Sequence, residues 1–325
     1  MTRPSEPIDV GRVPVGHRVR SFDWRQYVIY IGFAVVFVVF ALALGDKGFL
    51  TPNNLLNVFR QTALISIMAV GMTFVIGAGH IDLSVGATAG LASVTTALAL
   101  GSIGLPGAIA VGVVTGLAVG LLNGVLVAYV AIPSFLVTLG TLGIVNGTAQ
   151  YLSKTSPIPV LNDTFTFVFG SGDIGPIPSL LIWTTVTFVI GHVVLRKTTY
   201  GRRVLATGGN AVAARFSGVD TKRITLYALT AMGTIAGLTG MLFAGRLHSG
   251  RFDHGQGAEL SVIAAVILGG TSLFGGRATV IGTLLGSLLI GLINNGLTLA
   301  GLPTSQQFIV RGVIIILAVA LAKKG

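Results

Sequence analysis

The stretch that decides the fold runs from Leu83 to Ser153: LSVGATAGLASVTTALALGSIGLPGAIAVGVVTGLAVGLLNGVLVAYVAIPSFLVTLGTLGIVNGTAQYLS. Its 71 residues include no Asp, Glu, Lys or Arg. A helix needs about 20 apolar residues to cross the hydrocarbon core of a bilayer. The run therefore holds three crossings, punctuated by the Gly- and Pro-containing segment near 102–106 and again at Pro133. No water-soluble surface is built from such a sequence.

The rest of the chain agrees. Of 325 residues 52% are hydrophobic and only 10% charged, the mean hydropathy is +0.87, and 46 residues are Gly. Soluble domains carry roughly 25% charged residues, so soluble enzymes, DNA-binding domains and disordered scaffolds are excluded. The net charge of +11 does not mark a nucleic-acid surface, because ten of the eleven charges fall in three short segments. Residues 1–26 hold Arg3, Arg12, Arg18, Arg20 and Arg25 against three acids. Residues 196–223 hold seven Lys and Arg against Asp220, and Lys323 and Lys324 sit in the tail. Basic residues in short loops mark the cytoplasmic side of a membrane protein. The N-terminal segment, the 196–223 loop and the 323–325 tail are thus expected in the cytoplasm, which requires an even number of spans. The chain has no Cys, so disulfides and thiolate metal sites are absent. The apolar run 27–45 exceeds the roughly 7–15 residues of a signal-peptide core and is read as an uncleaved first helix.

With Pro, Gly clusters and charges as breaks, ten spans are expected: 27–45, 62–79, 86–101, 107–130, 134–152, 179–195, 224–244, 259–273, 279–300 and 306–322. The fold class is an all-α polytopic membrane protein, with a transmembrane domain over 27–322. Alternation from a cytoplasmic start returns 196–223 and the tail to the cytoplasm and places 153–178 and 245–258 outside. The halves also echo one another. Asp82-Leu83-Ser84-Val85 opens the third span and Glu259-Leu260-Ser261-Val262 the eighth; Gly120-Leu121-Leu122-Asn123-Gly124 is matched by Gly291-Leu292-Ile293-Asn294-Asn295-Gly296. Spans two to five then correspond to spans seven to ten. The offset of five makes the repeat inverted, an arrangement that in transporters places the pathway at the repeat interface.

Polar residues within such segments are expensive and so are candidates for function. Asp82 and Ser84 follow the helix-breaking Gly77-Ala78-Gly79. They suit either a gate in the pathway or a cap for the third span. Asn123, Asn146, Gln150, Asn294 and Asn295 suit either helix-to-helix hydrogen bonds or a polar conduit. Glu259 lies near Arg246, His248, Arg251, Asp253 and His254, but no zinc spacing is present. A solvated outer loop of mixed charge is the expectation there. Gly112, Gly116, Gly120 and Gly124 recur every four residues and suit close packing inside the chain or a subunit interface. In the basic loop, Asn210 is placed to cap a short helix over Ala211–Phe216, ended by Gly218. That helix suits docking of a soluble partner, and the plainer alternative is an anchor on anionic lipid. No Gly-Lys dipeptide, His-Glu-x-x-His or Gly-x-Ser-x-Gly occurs, so any ATPase must be another chain.

Three groups of motifs, in order over about residues 50–322, resemble the permease subunits of bacterial ABC importers for ribose, xylose, galactose and related sugars. The first is Val70-Gly71-Met72-Thr73-Phe74-Val75-Ile76 leading to Ile81-Asp82-Leu83-Ser84-Val85-Gly86. The second runs from Gly201-Arg202 through Gly208-Gly209-Asn210 to Ala213, Arg215, Ser217 and Gly218. The third joins Glu259-Leu260, Ile263–Leu273 with its Gly269-Gly270-Thr271-Ser272, Gly275-Gly276, and finally Asn294-Asn295-Gly296-Leu297. The resemblance implies a dimer of permeases of about ten helices each in the bacterial inner membrane. An extracytoplasmic sugar-binding protein would deliver the solute and a cytoplasmic ATPase with two cassettes would supply ATP and magnesium, this chain binding no cofactor. Asp82, Ser84, Asn123, Glu259, Thr271, Ser272, Asn294 and Asn295 would belong to the pathway or its gate. Gly201, Arg202, Gly209, Asn210, Ala213, Arg215 and Gly218 would belong to the ATPase contact. His80 and Ala211 depart from the family pattern, where Gly and Glu are expected. An ion-coupled secondary transporter of a small polar solute is the alternative; an intramembrane enzyme lacks a nucleophile–base pair, and a passive channel would not need the docking loop.

Overall fold

A computed structural model of the chain describes residues 28–303 together with 305–307, 309, 310, 312, 313 and 316. The N-terminal segment 1–26, the 323–325 tail and most of the expected tenth span lie outside the described residues.

Five helices among the described residues are long and apolar enough, by length and composition, to cross a membrane. Helix α1 (Val28–Ala43) comes first, its Phe37 and Phe40 rings lying 5.7 and 5.9 Å from that of the buried Phe49. Its outward Ile31, Val35, Val38, Val39 and Leu42 are exposed, as suits a lipid-facing helix. Helix α2 (Pro52–Gly77) starts ten residues before the expected 62. Thr51 accepts a hydrogen bond from Asn54 N, and Pro52 occupies the first turn, where its missing N–H costs nothing. A hydropathy count overlooks such a polar but well-capped beginning. From Thr62 onward α2 is almost wholly buried and forms the centre of the subunit.

Helix α3 (Val85–Ala128) spans 44 residues and would be about 66 Å long if straight. Instead it folds back at Gly104, whose φ of 74° and ψ of −177° are not helical, two residues before Pro106. Thr95 and Thr115, twenty residues apart, meet through hydroxyls at 3.0 Å. The element is therefore an antiparallel pair of crossings, with its reversal inside the 102–106 gap expected from sequence. Helix α4 (Ser134–Ser153) follows Pro133, and Lys154, at φ 50°, ends it.

The connection to the next span is more structured than a simple loop. Strand β1 (Ile158–Pro159) is followed by the short α5 (Asp163–Thr166), a π turn over Phe167–Ser171, and the hairpin β2 (Asp173–Ile174) and β3 (Ile177–Pro178). Helix α6 (Ser179–Lys197), the basic elbow α7 (Thr199–Gly209) and α8 (Ala211–Phe216), and α9 (Thr221–Arg246) then lead to strand β4 (Ser249–Gly250). β4 pairs antiparallel with β1, Ile158 opposite Gly250. Helices α10 (Ala258–Leu268) and α11 (Val280–Leu299) complete the described set.

Two expectations are corrected. The eighth span, expected over 259–273, is an 11-residue helix, because Gly269 and Gly270 (φ +89°) turn the backbone away and 269–279 forms an irregular connection. Its composition is apolar, but its conformation is not helical. The 245–258 stretch is also not a solvated loop throughout. Gly250 sits against Ala97 and Ser93, and His254 is 6% exposed, its Nδ1 2.8 Å from the Ser93 hydroxyl and its ring stacked on Phe243. Leu247, His248, Gln256 and the Arg251–Asp253 ion pair, at 2.6 Å, stay at the surface.

The packing is reciprocal between the halves. Helix α9 lies along the α3 hairpin, and α2 lies along α10 and α11. At one face Arg246 Nη1 donates to the Arg60 carbonyl and Arg60 donates to both Asp173 oxygens, all at 2.9 Å. At the other, the Gly77 end of α2 meets α7. The basic elbow is thus on the face opposite the 153–178 connection.

Candidate functional site

The break between α2 and α3 gathers most of its polar partners from α4. Burying an irregular backbone is tolerated only where its N–H and C=O groups find partners. Ile81 N donates to Ser134 Oγ at 3.1 Å, and Leu83 N to Thr138 Oγ1 at 3.0 Å. Within this cradle Asp82 is 1% exposed, and its Oδ1 accepts from both the N–H and the hydroxyl of Ser84, at 2.8 and 2.7 Å. Asn123, from the second limb of the α3 hairpin, donates to Ser84 Oγ at 2.9 Å, and Thr141 of α4 donates to Asn123 Oδ1 at 2.7 Å. The chain Asp82–Ser84–Asn123–Thr141 ties three crossings together at one break. Asp82 closes a turn on Ser84, the residue before α3, and no side chain caps the free N–H groups of the helix itself, so the expected cap is not formed. Beside Asp82, His80 Nε2 lies 2.9 Å from Thr225 Oγ1, so this residue, where the resemblance led to an expectation of Gly, adds a tie from the break to α9.

Glu259, the repeat counterpart of Asp82, lies in the first turn of α10. A Cβ on Gly86 would stand 2.7 Å from Glu259 Oε2 and collide with the Gly255 carbonyl. The carboxylate of one repeat is therefore delivered to the start of the broken helix of the other. No group of three or more His, Cys, Asp or Glu that could hold a metal ion occurs among the described residues.

The other pathway candidates are not assembled there. Thr271 is buried in the 269–279 connection, where its Oγ1 accepts from Thr279 N at 3.3 Å; Ser272 N donates to the Arg277 carbonyl at 2.9 Å. Both shape that connection beneath the basic elbow. Asn295 exchanges two amide hydrogen bonds with Asn54, at 3.1 and 2.9 Å, near the start of α2. That is the opposite end of α2 from Asp82. Asn294 sits in the same turn of α11, half-buried. Ser134, Thr138 and Thr141 were missing from the sequence candidates. Their spacing of i, i+4 and i+7 places three hydroxyls on one face of α4, and that was the available signal.

In the basic elbow, α8 has the bounds expected from sequence. Asn210 Oδ1 accepts from Val212 N and Ala213 N, both at 3.0 Å. The helix closes on Gly218 (φ +81°), with Val219 N bonded to Ala214 O and Gly218 N to Arg215 O, the paired pattern of a Schellman ending. Helix α7 was not foreseen, and its glycines are packing positions. Gly201 rests on the Val194 and Leu195 carbonyls, Gly208 on the Gly77 carbonyl, and Gly209 on Gly276. Arg202 donates to Thr199 Oγ1 at 3.1 Å on the exposed side. Helix α8 turns Val212, Ala213, Arg215 and Phe216 outward, with Phe216 90% exposed, and Ala211, the second departure, opens it.

The Gly112–Gly116–Gly120–Gly124 ladder is used for packing inside the chain. A Cβ on Gly116 would meet Gly237 Cα at 2.7 Å and collide with the Gly233 carbonyl; one on Gly120 would stand 2.6 Å from the Leu229 carbonyl.

A predominantly helical, polytopic chain with broken helices, buried polar groups at the break and a basic elbow on one face is a membrane permease. The family described as the branched-chain amino acid transport system / permease component matches residues 54–319, and the chain belongs to it. It is 38% identical over 297 residues to the ribose import permease protein of Bacillus subtilis (strain 168), covering 91% of this chain and 92% of that one. It is 39% identical over 308 residues to the L-arabinose ABC transporter permease protein of Azospirillum brasilense, covering 93% and 89%. It is 32% identical over 364 aligned residues to the xylose transport system permease protein of Haemophilus influenzae (strain ATCC 51907 / DSM 11121 / KW20 / Rd), covering 93% and 97%. No solved structure matches it.

Proposed function

We propose that this chain is the membrane-spanning subunit of an ABC importer that moves a sugar or sugar-like solute, most simply a pentose. The observation that carries this reading is similarity over nearly the full length to permeases named for ribose, L-arabinose and xylose. A soluble binding protein would deliver the solute on the face of the 153–178 connection. A separate ATPase, holding ATP and magnesium, would dock on the opposite face, which is cytoplasmic together with both termini by the distribution of Lys and Arg. Exposed Phe216 and Arg215 on a capped helix suit that docking better than a lipid anchor does. An aromatic and an arginine side by side are the residue types that anchor protein interfaces.

The second copy belongs on α4. This helix is not among those apolar enough to cross a membrane alone, yet Leu136, Leu139, Ile144 and Tyr151 are exposed on it. Gly140, Gly143 and Gly147 have open space where a Cβ would stand, and Asn146 and Gln150 are half-buried beside them. A face combining small and polar residues is suited to a protein neighbour rather than lipid. A second permease there would place the solute path alongside the Asp82–Asn123–Thr141 network, with Asp82 as its gate residue.

The test is uptake of radiolabelled ribose, arabinose or xylose into proteoliposomes holding this chain, with its binding protein and ATPase. Uptake should require ATP. Replacing Arg215 and Gly218 should leave membrane insertion intact while separating ATP hydrolysis from uptake. Uptake that persists without the ATPase and follows an ion gradient would overturn the assignment.

A further inference from the structure

The basic elbow packs on α6, α9 and α2, and at one of these places the contact is built from three glycine-containing segments that belong to different elements. Gly77-Ala78-Gly79 ends α2, Gly208-Gly209 ends α7, and Gly275-Gly276 lies in the 269–279 connection between α10 and α11. Gly276 N donates to the Gly77 carbonyl at 3.1 Å. A Cβ on Gly208 would collide with that same carbonyl and stand 2.7 Å from Gly276 N. A Cβ on Gly276 would stand 2.7 Å from Gly209 Cα, at a φ of +78° that suits Gly alone. Val204 and Leu205 of α7 and Ala278 complete the contact around Gly77. Side chains can yield by changing rotamer, but here backbone meets backbone, so a displacement of one segment must move the others.

We propose that this three-way glycine contact, with Gly208 and Gly276 at its centre, transmits movement of the ATPase-bound elbow into the membrane. It would act through two branches. Through Gly77 the push reaches α2 and the break that holds Asp82; through Gly276 it reaches α10, whose Glu259 abuts the start of α3. Both acids of the repeat are thereby connected to one point. Gly208 and Gly276 are positioning residues, touching neither solute nor nucleotide. The proposal rests on the assignment of α8 as the ATPase contact.

The experiment measures two quantities on the reconstituted importer: retention of the ATPase by the permease on co-purification, and ATP-driven uptake of radiolabelled ribose, arabinose or xylose, whichever the wild type transports. Gly208→Ala and Gly276→Ala should keep ATPase retention within about twofold of wild type while uptake falls about tenfold or more, the size of an ordinary coupling free energy. Gly32→Ala, in α1, should be silent, since nothing lies within 4 Å of the place its Cβ would take. Phe216→Asp should instead lose the ATPase itself. Unchanged uptake in Gly208→Ala and Gly276→Ala overturns the proposal, and so does loss of ATPase equal to that of Phe216→Asp. Retention of the ATPase by Phe216→Asp overturns the docking assignment instead. If thermal unfolding in detergent shows Gly208→Ala to be misfolded, the milder Gly77→Ala takes its place, its Cβ 3.2 Å from that of Ala278, and the same split is expected.

Discussion

Two long helix seams hold the halves together, and they are built from different chemistry. Along α3 and α9, Gly112, Gly116 and Gly120 face Gly233 and Gly237, and the backbones touch. Along α2 and α11, which occupy the corresponding place in the other half, Thr73 meets Thr283 at 2.8 Å, Ser66 meets Ser287 at 2.7 Å, and Asn54 exchanges amide bonds with Asn295. Aligning Gly120 with Gly291 sets Gly112, Gly116 and Gly124 beside Thr283, Ser287 and Asn295. Inside a bilayer, apolar contact gives no advantage over lipid, so helices associate through close packing or hydrogen bonds. This chain uses one solution on each side. The glycine seam tolerates little sliding because its partners are backbone atoms. The hydroxyl seam is held by short rotors that can change partner, so it is the side on which one helix can shift past another.

The largest effect of breaking this contrast belongs to the glycine seam. Gly233→Ala would drive a Cβ into the Gly116 carbonyl and lose about 1–3 kcal/mol of stability through overpacking. Thermal unfolding in detergent should show it, and an unchanged transition would mean that the helices separate without cost. Asn295→Leu comes next. It strips Asn54 of its reciprocal amide partner and should cost about 1–2 kcal/mol, with Asn54→Leu and the double variant completing a cycle. Ser66→Ala should cost about 0.6 kcal/mol and the double variant with Ser287→Ala scarcely more than Ser287→Ala alone, because the bond between the helices is lost once and Ser287 otherwise bonds only to Leu284 O in its own helix.

The smallest effect at neutral pH grows on acidification. His254 is wedged between Ser93 of α3 and Phe243 of α9, and burial, partly opposed by the Asp253 charge, pushes its imidazole down to about 4. Asp253 is held below the usual carboxylate range by its hydrogen bond from Arg251 and stays ionised throughout. The folded chain keeps His254 neutral, while the unfolded chain takes up a proton below about 6.5. Its contribution is therefore complete above pH 6.5 and is lost as the pH falls from 6.5 towards 4. The unfolding temperature of wild type should drop across that window by more than that of His254→Gln. Parallel curves would show that the wedge does not titrate.

Much of this architecture was legible in the residue order, and the places where it was not have a common physical cause. The reversal near Gly104, the stop at Pro133 and the Asn210–Gly218 helix follow from local backbone preferences, which Gly, Pro and Asn announce directly. The length of α10 did not, because Thr271-Ser272-Leu273-Phe274 is as apolar as a span while Gly269 and Gly270 redirect its backbone. Burial of His254 was hidden because it depends on Gly86, Gly90 and Gly250 letting the 250–257 segment lie against α3, a tertiary contact. Asp82, Ser84 and Asn123, which the sequence marked separately as costly polar residues, lie together in one hydrogen-bonded chain. Thr271, Ser272 and Asn295 were drawn from matching motifs, and motif order carries no information about depth along a helix.

The fold at Gly104 also bears on how the chain enters the bilayer. Between the two limbs of α3 lie only Gly101-Ser102-Ile103-Gly104-Leu105-Pro106-Gly107, with no ionisable side chain to be dragged through hydrocarbon. The two crossings can be inserted together as a preformed hairpin, its hydroxyl pair Thr95 and Thr115 already satisfied. A nascent ribosome-bound chain would then gain the two middle crossings of its first repeat as one event rather than as separately threaded helices.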